Sequence, residues 1–130
     1  MSDARGELVR YRLEQAGHAL RQAAILTEHG EWSGVVNRAY YAMFYVALAL
    51  LLTKGLGSAK HGGVLALVDR EFVRTGEIPA EISMMLREAF NQRQKADYAE
   101  LAETDEVGAW ELLRNAEEVV ARIRATIEKT

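Results

Sequence analysis

Two arginines stand where apolar residues are expected. The stretch VVNRAYYAMFYVALALLLTKG, residues 35 to 55, is the most hydrophobic of the chain, yet Arg38 sits near its start. On a helix Arg38 has Tyr41, Ala42 and Tyr45 at three, four and seven positions, so two aromatic rings share its face. Asn37 adds an amide beside it. A guanidinium next to aromatic rings suits phosphate, through its fork of donors, and a base, through stacking. The second arginine lies in FNQRQKADY. Ile82, Leu86 and Ala89 follow one another at spacings of four and three; the next member of that series is Arg93 and the one after is Asp97, with Tyr98 adjacent. A charge in phase with a core stripe is the kind of local violation that functional sites produce.

Each arginine also has a purely structural reading. Arg93 stands near a helix end, where its head can reach water and pair with Asp97 one turn on. Arg38 can bond a helix-end carbonyl or an acid of a neighbouring helix. Two such arginines beside tyrosines in one small chain favour a shared cleft. If their helices are neighbours, Arg38 and Arg93 meet, and Lys60 and His61 from the intervening loop can join them. Such a cleft would hold an anion: phosphate, nucleotide or RNA backbone.

Other chemistries lack their residues. No Glu-x-x-His pair of a di-metal bundle occurs, the three histidines His18, His29 and His61 are scattered, and there is no cysteine. No metal site and no cofactor are expected. The loop GLGSAKHGG does not match a phosphate-binding P-loop, and no G-x-S-x-G elbow is present. A DNA-recognition helix should be basic and exposed; the best candidate sets Arg70 and Arg74 against Asp69 and Glu71.

The 130 residues suit a single domain, residues 1–130. Net charge is −3, but it is uneven: zero over residues 1–53, +2 over 54–95 and −5 over 96–130. No overall basic field exists, so any nucleic-acid contact must come from a local cluster. The absence of cysteine fits a reducing cytoplasm, and cytoplasmic localisation is expected. The N-terminus has no apolar signal region. The apolar run Ala39 to Leu52, 14 residues, falls short of the roughly 20 that cross a bilayer. It reads as a buried core helix, with no membrane partner.

Five helices are expected and no strand alternation is seen. The first runs from about Arg5 to Glu28, with Val9, Leu13, Ala16, Leu20 and Ala23 as its stripe and Gly30 as its stop. The second runs from Trp32 to Lys54 and stops at Gly55. Ser58 is the expected cap of a short third helix, Ala59 to Thr75, ended by Gly76. The fourth runs from Pro79 to Lys95. Thr104 is the expected cap of the last helix, whose stripe carries Trp110, Leu113, Val120, Ile123 and Ile127. The fold class is therefore all-α, an up-and-down four-helix bundle with a short additional helix.

In this order, NRAYYAMFYVALALL, then G-S-A-K-H-G, then R-Q-K-A-D-Y, the chain resembles the HEPN family, the "higher eukaryotes and prokaryotes nucleotide-binding" domains, in its stand-alone prokaryotic branch. The resemblance implies a homodimer of helical bundles, a minimal nucleotidyltransferase as genetic partner, and membership of a toxin–antitoxin module. It also implies ribonuclease activity where the family motif Arg-x4-6-His is intact: arginine steadies the phosphate and histidine moves protons at the 2′-hydroxyl. This chain departs from that motif. No histidine follows Arg93, and Tyr98 stands after the four-residue gap. An ordinary tyrosine titrates near pH 10, so only about one in a thousand is ionised at pH 7. The expectation is a nucleotide- or RNA-phosphate-binding bundle using Asn37, Arg38, Tyr41, Tyr45, Lys60, His61 and Arg93. The alternatives are a metal-independent endoribonuclease built on Arg93 with Asp97, Tyr98 or His61, and a helical interaction protein without a ligand. Tyr40, Phe44 and Leu48 share a face of the second helix that could serve a dimer.

Overall fold

The computed structural model describes residues 3–98 and 105–129, with side chains at 3–94 and 105–129. The chain forms α1 (Asp3–Glu28), α2 (Trp32–Leu52), α3 (His61–Val68), a π-helical turn (Asp69–Val73), α4 (Ala80–Tyr98) and α5 (Glu106–Glu128). Every element among the described residues is helical, as expected. Three residues link α1 to α2, which forces them antiparallel. The helix α2 is central: it packs on α1, α4 and α5 and also meets α3.

The physical reason is composition. Eleven residues of α2 are buried, from Val35 to Leu51, on several faces. They meet Ala16, Ala19 and Ala23 of α1, Ile82, Leu86 and Ala89 of α4, and Leu112, Val119 and Ile123 of α5 in one core. Burying a Val, Leu or Ile side chain contributes roughly 1.5–3 kcal/mol. Helix propensities span at most about 0.7 kcal/mol among ordinary residues, so packing decides the architecture. At 21 residues α2 runs past the 14-residue apolar stretch; it starts at Trp32 as expected and ends at Leu52, two residues before the expected Lys54. It is long and apolar enough to cross a membrane, but 61% of its most apolar window is buried inside the bundle, which accounts for its character as a core helix.

Glycines end the helices as expected. Gly30, Gly55 and Gly76 take φ of 67°, 69° and 82°, a left-handed backbone that side chains disfavour. Gly63 has a different reason: the Ser58 hydroxyl occupies the space that its Cβ would need. Two expected caps are corrected. The N-cap of α3 is Lys60, and Ser58 instead accepts the Lys60 N–H at 3.2 Å, so the helix begins two residues later than Ala59. The cap of α5 is Asp105, whose Oδ1 accepts the Gly108 N–H at 2.6 Å; Thr104 lies outside the described residues. Asp105→Ala should therefore lower stability by about 1 kcal/mol, read as a lower Tm in thermal melts. An unchanged melt would deny the cap its role.

The third helix also ends differently. At Asp69–Val73 the chain widens to a π turn, with Arg74 N–H donating to Asp69 C=O at 3.0 Å. The Asp69 carboxylate accepts from Ser83 Oγ and, at 2.6 Å, from Arg87 of α4. This tie fixes α3 against α4. Phe72 is buried, and Lys54 lies 4.2 Å over its ring while pairing with Glu77 at 3.2 Å. On α5, Leu113, Val120, Ile123 and Ile127 are buried, but Trp110 is 39% exposed and departs from the expected stripe.

Candidate phosphate-binding site

The core stripe of α4 runs through Ile82, Leu86 and Ala89, all buried, and its next member is Arg93, which is half-buried. This places the guanidinium against α2. Arg93 Cζ lies 5.2 Å from the Tyr40 ring centroid and 5.0 Å from that of Tyr41. From the other side of the sequence, Arg38 Cζ lies 5.1 Å from the Tyr41 ring. The two arginines therefore meet around one tyrosine, and their separation cannot exceed the sum of those two distances, about 10 Å. Each cation–π contact contributes about 0.5–1 kcal/mol where exposed and about 2 kcal/mol where dry. Two like charges within about 10 Å repel by at least roughly 0.4 kcal/mol, and an anion between them would relieve that repulsion.

Arg38 is positioned by neutral groups. Its Nε donates to Asn37 Oδ1 at 3.0 Å and an Nη donates to Gln22 Oε1 of α1 at 3.2 Å. No carboxylate pairs with it among the described residues. The acid of a neighbouring helix that a purely structural role would supply is an amide here, so the charge is oriented and not neutralised. Tyr45 extends the ring row, 5.7 Å from Tyr41. Lys60 joins none of these contacts: it is exposed at the start of α3. The side chains of Asp97 and Tyr98, at the end of α4, lie outside the described residues, so their expected roles and the Arg93–Asp97 pair are not placed.

His61, the first residue of α3, is brought into the cluster. Its Nδ1 is 2.7 Å from the Tyr40 hydroxyl, and its ring lies 4.3 Å from Phe44, 5.7 Å from Tyr40 and 6.2 Å from Phe90. Burial lowers the His61 pKa below 6.5, and the nearby Arg93 charge lowers it further. The imidazole is then neutral at pH 7. Burial pushes the Tyr40 phenol up to about 12, against the opposing pull of Arg93, so Tyr40 keeps its proton and is no base. Tyr40 is only 3% exposed and faces the interior of the bundle, which removes it from the face suggested for a dimer.

A test follows from the electrostatics. The folded pKa of His61 is depressed, so its charged form is disfavoured in the folded state. Stability should rise with pH from the folded pKa up to the ordinary value near 6.5 and level off above it. In an NMR titration, Arg93→Ala should move the His61 midpoint upward, yet not fully to 6.5, because burial remains. A midpoint that does not move would show that Arg93 does not act on the ring.

Sequence reasoning missed Gln22, Phe44 and Phe90 as parts of the site. Phe44 and Phe90 each follow a stripe residue, Met43 or Ala89, and so lie at the edge of a buried face. Gln22 bore no local signal. Among the described residues no group of three or more His, Cys, Asp and Glu side chains is arranged to hold a metal.

The HEPN domain model matches residues 9–126, and the chain belongs to that family. It is 38% identical over 122 residues to a Thermotoga maritima "UPF0332 protein", covering 94% of this chain and 92% of that one. It is 37% identical over 123 residues to the Methanocaldococcus jannaschii protein named "Putative toxin MJ0605", covering 95% and 91%. A second protein of that archaeon, "Putative toxin MJ0142", is 41% identical over 86 residues, 66% of this chain and 58% of its own length.

Proposed function

We propose that this HEPN bundle binds a nucleotide or RNA phosphate through Arg38 and Arg93, as a cytoplasmic homodimer working beside a nucleotidyltransferase partner in a toxin–antitoxin module. The observation that carries the binding is the convergence of both guanidinium groups on the Tyr41 ring, each about 5 Å away. Neutral partners at Arg38 leave its charge for a ligand. The toxin setting is supported by the names of the similar M. jannaschii proteins. Calorimetry with nucleotides and short RNAs tests the binding, and failure to bind either class overturns it. Co-purification with the product of an adjacent nucleotidyltransferase gene tests the partnership.

One observation favours a second reading, a metal-independent endoribonuclease. His61 is neutral and touches Tyr40, the ring on which Arg93 also rests. In that reading His61 accepts the 2′-hydroxyl proton as the 2′-oxygen attacks phosphorus, Arg93 stabilises the charge on the phosphoryl oxygens, and the P–O5′ bond breaks to give a 2′,3′-cyclic phosphate and a 5′-oxygen that takes a proton from water. Cleavage of RNA that survives EDTA and disappears in both His61→Ala and Arg93→Ala would make this the better reading.

A further inference from the structure

An open groove of about 290 Å³ lies between α1 and α2. Tyr11, Glu14, Gln15 and His18 line it from α1, and Arg38 and Tyr45 line it from α2. The α1 residues fall at helical spacings of three and four, so one face of the helix forms a whole wall. Arg38 belongs at once to this groove and to the arginine pair at Tyr41. An anion held by the pair thus has whatever is attached to it beside the groove.

Size limits the occupant. Pockets that take a whole small ligand run from about 300 to 1,000 Å³. This groove stands at the bottom of that range and suits one flat portion of a larger molecule. Its walls supply flat faces: Tyr11 is 51% exposed, and Tyr45 is half-buried with its ring against Tyr41. Its polar edge carries both kinds of group: Arg38 donates, the Gln15 amide nitrogen donates to the Tyr11 hydroxyl at 3.5 Å, and the Glu14 carboxylate accepts. The Gln15 amide oxygen already accepts from Arg12 at 2.8 Å, and His18 Nδ1 is engaged by Arg21 at 2.6 Å. Glu14 is exposed and has no ion pair among the described residues, so its carboxylate is open.

We infer that this groove holds one unpaired, amino-bearing nucleobase whose phosphate lies on Arg38 and Arg93. The inference rests on the phosphate-binding reading above. Aromatic faces stack any base, and a carboxylate accepts from the exocyclic amino groups of adenine or cytosine. Uracil is disfavoured because its one ring donor on that edge is flanked by two carbonyl oxygens, which the Glu14 carboxylate repels.

The test measures fluorescence anisotropy with labelled six-nucleotide oligo(A), oligo(C) and oligo(U), and with an abasic ribose-phosphate oligomer of the same length. Tyr11→Ala and Glu14→Gln change exposed side chains, and matching helical circular dichroism checks their fold. Tyr11→Ala should weaken oligo(A) about tenfold, in line with the loss of one stacked base, and leave the abasic oligomer unchanged. Glu14→Gln should raise oligo(U) relative to oligo(C). If adenosine monophosphate displaces oligo(A), the subsite stands with a free nucleotide as occupant; if only the oligomer binds and the Tyr11 dependence persists, it stands with a strand. Wild-type affinity of Tyr11→Ala for oligo(A), with binding lost in Arg93→Ala, overturns the base subsite and leaves the phosphate site intact. No binding of any oligomer, or indifference to Arg93→Ala, overturns both.

Discussion

Arg93→Ala is expected to weaken short-RNA or nucleotide binding by about 10- to 100-fold while leaving the bundle folded. The magnitude follows from charge-assisted hydrogen bonds, each worth about 1.5–3 kcal/mol, with tenfold per 1.4 kcal/mol. Arg93 stands at the end of the α4 stripe and is half-buried, so truncation removes little of the core. Titration calorimetry at two salt concentrations reads the result. Loss of one phosphate contact should also reduce the salt dependence of binding, lowering the slope by about one. Arg93→Lys should recover only part of the affinity, because an ammonium keeps the charge but not the planar fork that lies over Tyr40 and Tyr41. Unchanged affinity in Arg93→Ala would leave Arg93 a structural residue and remove the basis of the functional reading.

Tyr40→Ala should destabilise the fold by about 3–5 kcal/mol, the usual cost of removing a large buried aromatic. Against a typical total of about 5–15 kcal/mol, that is enough to endanger folding. Tyr40 is 3% exposed and is the meeting point of the cluster: Tyr41, Phe44, Phe90 and His61 all lie within 6.2 Å of its ring, and Arg93 rests over it. Tyr40→Phe separates the two roles. It keeps the ring contacts and removes only the hydroxyl bonded to His61 Nδ1, for which about 1 kcal/mol is expected. Chemical denaturation of both variants provides the comparison. Equal stability losses in the two would show that the hydroxyl, not the ring, holds α2 to α3.

Much of the architecture follows from local physical chemistry that sequence carries directly. The spacing of Ile82, Leu86 and Ala89 puts Arg93 in phase with the buried face of α4, whatever the helix packs against. Glycine alone adopts φ near 70–80° without strain, so Gly30, Gly55 and Gly76 mark helix ends in any fold. The side-chain period also placed Arg38, Tyr41 and Tyr45 on one face of α2. Where local signals compete, the reading slipped. Ser58 and Thr104 are both good caps by residue type, yet neighbouring backbone geometry gave the α3 cap to Lys60, and Asp105 is the cap of α5. Trp110 fits a helical stripe by spacing but faces outward, because an amphipathic pattern does not fix how wide the buried face will be.

Only tertiary structure could set both arginines against the Tyr41 ring. Arg38 and Arg93 are 55 positions apart, and their meeting requires α4 to pack on α2. That contact depends on the summed burial of apolar faces and on the Asp69–Ser83–Arg87 tie, neither of which a local window of sequence expresses. The same holds for His61. The sequence by itself determined that no histidine follows Arg93. The loop after α2 and the start of α3 decided that a histidine from elsewhere stands against Tyr40, where burial and the Arg93 charge keep it neutral. Residue type and helical period determine what each face offers; the packing of the helices determines which faces meet, and so which charges share a site.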